Sequence, residues 1–352
     1  MKRKKSIFFI LVAAVMFLAA CSENNDPVAP GEVYDFGSII TDYADKVVVA
    51  TYEDLKNKTA DLQTACETFS NDPTQANLDA VANAWKTARE PWELSEAFLF
   101  GPVSFLSIDP SMDTWPMDES QLQSVLEGNF ELTPDFVRNG LGYSLRGYHT
   151  LEYLIFKDGQ IQIATNLDNR KEQYLVSASV VLAEDADMLY QEWTSGFASE
   201  IKNAGKTGSR YSSQVQAALE IVEGIITIAD EVGNGKISGP YGSKNVLDVE
   251  SQFSWNSLTD FTNNIKSIRN AYTGGYSNGT DGTGLDEFIK SQNVELNTRV
   301  ISEIDAAINA IGSIPAPFRN NLNADTQIQA AIDACNTILE TFQSDVKPLV
   351  TQ

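Results

Sequence analysis

Histidine is almost absent from this chain: one residue in 352, His149, carries an imidazole. That excludes the His-Glu-x-x-His zinc helix, which needs two histidines one turn apart. Cysteine is nearly as scarce. Of the three, Cys66 and Cys335 are far apart and have no second histidine to join them, so they do not read as a metal pair. Basic residues are few as well, 25 Lys and Arg against 48 Asp and Glu, for a formal charge of −23. Such a surface repels phosphates and concentrates cations, which argues against nucleic acid as a partner. After Ala20 no apolar run is long enough to span a bilayer.

What is present begins at the N-terminus. Met1-Lys2-Arg3-Lys4-Lys5 precedes fourteen mostly apolar residues, Ile7 to Ala20, and the run closes as Leu18-Ala19-Ala20-Cys21. A basic start, a short apolar stretch and a small-residue cleavage site read as a signal peptide over 1–20. The cysteine directly after it resembles the lipobox of bacterial lipoproteins. That resemblance implies cleavage and lipid on Cys21, and Ser22 offers no inner-membrane retention aspartate. The expectation is a cell-envelope protein held to the membrane, the outer one by preference, through Cys21. Residues 21–32, with Pro27, Pro30 and Gly31, read as a flexible tether. An envelope compartment would allow a Cys66–Cys335 disulfide, but both cysteines fall on apolar stripes and favour buried free thiols.

Helical periodicity dominates the remainder. Val215, Leu219, Val222, Ile226 and Ala229 recur at steps of four and three, as do Leu296, Val300, Ile304, Ile308 and Ile311. The expected fold is all-α, with two helical-bundle domains at 33–165 and 166–352. Asp72-Pro73 is expected to open a helix through Trp85, and Asp168 another; Pro91 is expected to bend or interrupt its helix. Breaks are expected at Gly101–Pro116, Gly233–Ser243 and Thr273–Gly284. The last contains Asp281 without the ligand ladder of a calcium loop.

Three places put polar groups into apolar surroundings. His149 and Glu152, at i and i+3, share one face of an apolar helix that should end at Lys157-Asp158-Gly159. Arg89 and Glu96 interrupt the stripe Trp85, Trp92, Leu99. Glu250-Ser251-Gln252-Phe253-Ser254 is expected to begin a helical run to Tyr272, with Glu250, Ser254 and Ser257 on one face. Each has a plain structural reading: a buried His–Glu hydrogen bond, an internal ion pair, a helix cap.

Together these blocks resemble the imelysin family, also called insulin-cleaving membrane proteases, whose hallmark is Gly-x-His-x-x-Glu. Here it reads Gly147-Tyr148-His149-Thr150-Leu151-Glu152. The resemblance continues through Trp85-x-x-x-Arg89-x-Pro91-Trp92-x-x-Ser95-Glu96 and through Glu250-Ser251-x-Phe253-Ser254 with Asp260. It implies a two-domain helical envelope protein, tied to iron uptake in some members and classed as a metallopeptidase in others. The implied site is His149 and Glu152, with Arg89, Glu96 and Ser254 beside them. One imidazole and several carboxylates suit iron, manganese or zinc. A hydrolytic zinc site would have no dedicated base left over. The expectation is therefore a lipoprotein that binds a metal ion, a metal chelate or a peptide-like ligand, with envelope uptake partners. An imelysin-type metallopeptidase is the alternative, and a structural lipoprotein without ligand the third reading.

Overall fold

The structure is a computed structural model that describes residues 34–276 and 282–352. The signal peptide, Cys21, the tether and Asp281 lie outside the described residues. The architecture is all-α, as the periodicity requires. Its long elements are Ala50–Asn71, Gln75–Glu93, Asn169–Glu192, Gln214–Asp230, Ser257–Thr273, Val294–Gly312 and Asp325–Thr341. Ala50–Asn71 packs between Gln75–Glu93 and Asn169–Glu192 in the first half. In the second half Val294–Gly312 packs on Ser257–Thr273 and Asp325–Thr341, and Gln214–Asp230 on both of the latter. The helix at 169–192, beyond the boundary at 165, thus belongs by packing with helices of the first half, and Asp35–Gln352 forms one compact unit. No helix among the described residues is long and apolar enough to cross a membrane.

Local chemistry explains where the helices start. Asp168 accepts from the backbone N–H of Arg170 and Lys171, a cap that contributes about 1 kcal/mol. At the other expected cap the structure differs. Thr74, not Asp72, takes the Asn77 N–H, and Gln75 opens the helix. That helix also runs through Pro91 to Glu93, where a bend or an interruption was expected, and it is not interrupted. Trp85 and Trp92 flank the proline turn and are fully buried, and the Tyr148 hydroxyl donates to Ala88 O at 2.7 Å, so tertiary partners hold the turn in place.

Two of the expected breaks are helical. Glu231–Ile237 continues the Gln214–Asp230 helix as a π-helix, followed by Ser238–Ser243, and Gly101–Pro116 contains the short helices Pro102–Phe105 and Ile108–Asp113. The His149 helix, Tyr148–Ile155, stops before the expected end and gives way to a two-stranded antiparallel ribbon, Phe156–Lys157 with Gln160–Ile161. Cys66 and Cys335 are buried and free, as their stripes indicated.

Candidate functional site

Glycine at 147 is what lets the histidine helix begin where it does. Its φ is +81°, and a Cβ there would overlap the carbonyl oxygen of Met112. Without a side chain, the helix N-terminus closes directly on the segment that ends in Asp113. His149, on the first turn, is fully buried. Its Nε2 faces Asp113 Oδ1 at 3.1 Å and Glu250 Oε1 at 3.8 Å, and its Nδ1 faces Glu152 Oε2 at 3.1 Å. The Trp115 ring covers the imidazole, with centroids 4.7 Å apart.

Glu152 is saturated. Its Oε1 accepts from the backbone N–H of Phe253 at 3.0 Å, the N–H of Ser254 at 2.8 Å and the Ser254 hydroxyl at 2.7 Å, while Oε2 meets the imidazole. Glu250–Trp255 is therefore not the start of a helix, as its spacing suggested; the helix begins at Ser257. Ser251 and Trp255 take left-handed backbone conformations, φ 51° and 61°, and the turn between them aims two amides at one oxygen. Trp255 in turn packs onto Gly159, where a Cβ would collide with the indole. Ser254 thus acts as a donor to Glu152, and Glu152 fixes the imidazole so that Nδ1 is committed and Nε2 points inward.

Arg89 organises the opposite wall. Its guanidinium bonds Asp113 Oδ1, Glu93 Oε1 at 2.5 Å and Glu250 Oε1 at 2.7 Å, with Asp260 Oδ2 at 3.8 Å. The Trp92 indole donates to Asp113 Oδ2 at 2.7 Å. Glu96 lies one residue-cluster further along and pairs with Lys236, 3.4 Å away. All five side chains expected at the site, Arg89, Glu96, His149, Glu152 and Ser254, are therefore in one buried network, with Arg89 and His149 meeting on Asp113. Sequence reasoning missed Asp113 and Lys236, because both sit in stretches that read as breaks. It also passed over Glu93, although Glu93 stands four residues after Arg89 on the same helix face.

Six carboxylates, Glu93, Glu96, Asp113, Glu152, Glu250 and Asp260, thus face two permanent cations, Arg89 and Lys236. The imbalance shows in their acidities. Burial pushes Glu93 up to about 8 against the pull of Arg89 and Lys236, pushes Asp260 up to about 7 against Arg89, and lifts Glu96 well above the carboxylate range. Burial also opposes the ionised form of Asp113, but Arg89 and His149 outweigh it and hold that group well below the usual range. Burial and Arg89 both disfavour a charged imidazole; Asp113 and Glu152 outweigh them and raise His149 to about 9.

Among the described residues, two sets of three donor atoms each lie within 4.8 Å of one another: Asp113, His149 and Glu250, and Glu93, Glu96 and Asp113. In the first set, His149 Nε2 is buried without a hydrogen bond of good geometry. One imidazole nitrogen and two carboxylates, with the far imidazole nitrogen on a second carboxylate, is a donor set that a divalent transition metal accepts. A cleft of about 300 Å³, lined by Glu96, Asp113, Trp115, Lys236 and Glu250 and rimmed by Asp109, Glu231 and Asp248, leads to it.

The chain is 30% identical over 319 residues to iron-regulated protein A of Synechococcus elongatus, covering 88% of this chain and 86% of that one. A crystal structure described as an iron-regulated protein A precursor, from Parabacteroides distasonis, superposes with a TM-score of 0.81 at 30% identity, over 89% of this chain and 94% of the other. An imelysin-like protein from Psychrobacter arcticum shares the fold, with a TM-score of 0.73 at 15% identity and the same coverage. The family model described as Imelysin matches residues 48–344, and the chain belongs to the imelysin family.

Proposed function

We propose that this protein is an envelope lipoprotein, anchored through Cys21, that captures a transition-metal ion at Asp113, His149 and Glu250, with iron the first metal to test. The observation that carries the reading is His149 Nε2: a buried nitrogen without a well-formed hydrogen bond, facing two carboxylates, with its partner nitrogen held by Glu152. Glu152 is accordingly an orienting group rather than a ligand, and Arg89 fixes the two carboxylate ligands. Ferrous iron, manganese and zinc all suit the donors, and the lack of thiolate works against soft metals. The acidic cleft steers cations inward. The names of two relatives, iron-regulated protein A, favour iron among the three.

The test is metal content of protein purified without chelator, followed by titration of Fe(II), Mn(II) and Zn(II) into wild type, His149→Ala and Asp113→Asn. Affinity that falls at least tenfold in both variants supports the site; equal affinity in all three overturns it. Peptide cleavage assayed on the same metal-loaded samples decides the alternative. Turnover lost on His149→Ala would make the protein an imelysin-type peptidase, a reading the saturated Glu152 disfavours, since a carboxylate that accepts three hydrogen bonds on one oxygen is poorly placed as a general base.

A further inference from the structure

The cleft contains a second set of ligand oxygens beside the first. Carboxylate oxygens of Glu93, Glu96 and Asp113 are as closely grouped as the Asp113–His149–Glu250 set, and Asp113 belongs to both. Two cation positions that share a carboxylate form the frame of a two-metal centre. In this protein a fixed charge already lies against two carboxylates of the second set. Lys236 Nζ lies 3.4 Å from Glu96, 4.0 Å from Glu93 and 3.3 Å from Glu250, with 3.8 Å to Glu231 at the rim. Its side chain is only 10% exposed.

Three features make this more than a buried ion pair. An ordinary lysine meets one carboxylate at the surface, where the pair contributes little; this one faces four, so its charge serves the group and not a single partner. Glu93 Oε1 and Glu250 Oε2 are buried without a well-formed hydrogen bond and are held by the charges of Arg89 and Lys236 alone. Finally, the ammonium arrives on the π-helix Glu231–Ile237, which continues the helix Gln214–Asp230 and sets Lys236 at the cleft.

We propose that Lys236 sets the metal count of the site: its ammonium neutralises Glu93 and Glu96, two of the three second-set ligands, so the protein takes one metal ion at Asp113–His149–Glu250 where the carboxylate frame without that charge would take two. The inference rests on the metal-binding reading above. Methionine at 236 keeps the stem and removes the charge, leaving carboxylates that a second divalent cation can satisfy.

The experiment compares wild type, Lys236→Met, Lys236→Arg and the double variant Lys236→Met/Glu96→Gln, each titrated with Mn(II). Bound metal is counted by elemental analysis, and coupling between ions is read by electron paramagnetic resonance. Expected stoichiometries are one Mn(II) for wild type and Lys236→Arg, two for Lys236→Met, and one for the double variant. Only Lys236→Met should give the exchange-coupled spectrum of two ions sharing a carboxylate. If Lys236→Met does not fold alone, refolding it with Mn(II) present should yield the two-metal protein, and failure to do so counts against the proposal. One ion in every variant overturns it, as does two in wild type. Wild type with no ion at all would instead refute the metal-binding reading, so the two failures are distinct.

Discussion

The single histidine makes one prediction unusually direct. In the metal-free protein His149 titrates near 9 and not at 6.5, because Asp113 and Glu152 outweigh burial and Arg89. Metal must therefore displace a proton at neutral pH. With a midpoint of about 9, the competing proton weakens binding about 100-fold at pH 7 and about twofold at pH 9, so affinity should rise roughly 50-fold between them, about 2 kcal/mol. Protons leaving Glu93 and Asp260 across that range steepen the curve further. Histidine-selective ¹³C labelling gives one imidazole resonance, whose shift against pH reads the midpoint without ambiguity. Calorimetry with micromolar Mn(II), in buffers of different ionisation enthalpy, reads the proton released. A midpoint near 6.5 with affinity flat above pH 7 refutes the reasoning. The same shift bears on stability. Because the folded value lies above the unfolded one, its contribution of about 3 kcal/mol to the metal-free protein is complete below pH 6.5 and is lost as pH rises through about 9.

Other expectations are simpler to check. Gly147→Ala sets a Cβ against Met112 O at a φ of +81°, and should cost at least about 2 kcal/mol in denaturant unfolding; a change under 0.5 kcal/mol would mean the helix start can shift without strain. Ser254→Ala removes one charge-assisted hydrogen bond to Glu152 but leaves both amides, so it should lower stability by about 2 kcal/mol while metal affinity stays within a few-fold. Loss of binding on that change would promote Ser254 from donor to ligand. Cys21→Ala should move the protein from the membrane to the soluble fraction, and retention after salt washing would show a second anchor. Burial pushes Cys66 and Cys335 up to about 12, so a thiol reagent should label neither until the chain unfolds.

Much of this molecule can be read without coordinates. The helices Gln214–Asp230 and Val294–Gly312 follow from steps of four and three, the Asp168 cap from its side chain, and the buried thiols from the stripes they share. His149, Glu152, Arg89, Glu96 and Ser254 converge as the blocks around them suggested. Their division of labour was not legible. Glu152 looks like a ligand by spacing, and only the two amides from the 250–255 turn reveal that its oxygens are taken. Asp113 lies in a stretch interrupted by three prolines, where no period marks an inward face. Lys236 sits on a π-helix, whose wider turn throws residues out of the 3.6 register by which a buried face is recognised.

The cluster draws on segments spread from Arg89 to Asp260, with both halves of the chain contributing to it. No nascent portion that ends before Asp260 can hold the complete cluster. Under the proposal of an exported lipoprotein, the chain would cross the membrane unfolded, without a site, and would load metal only where it folds. Its cargo would report on the metal supply outside the cytoplasm, and would be protected from exchange with the pool inside.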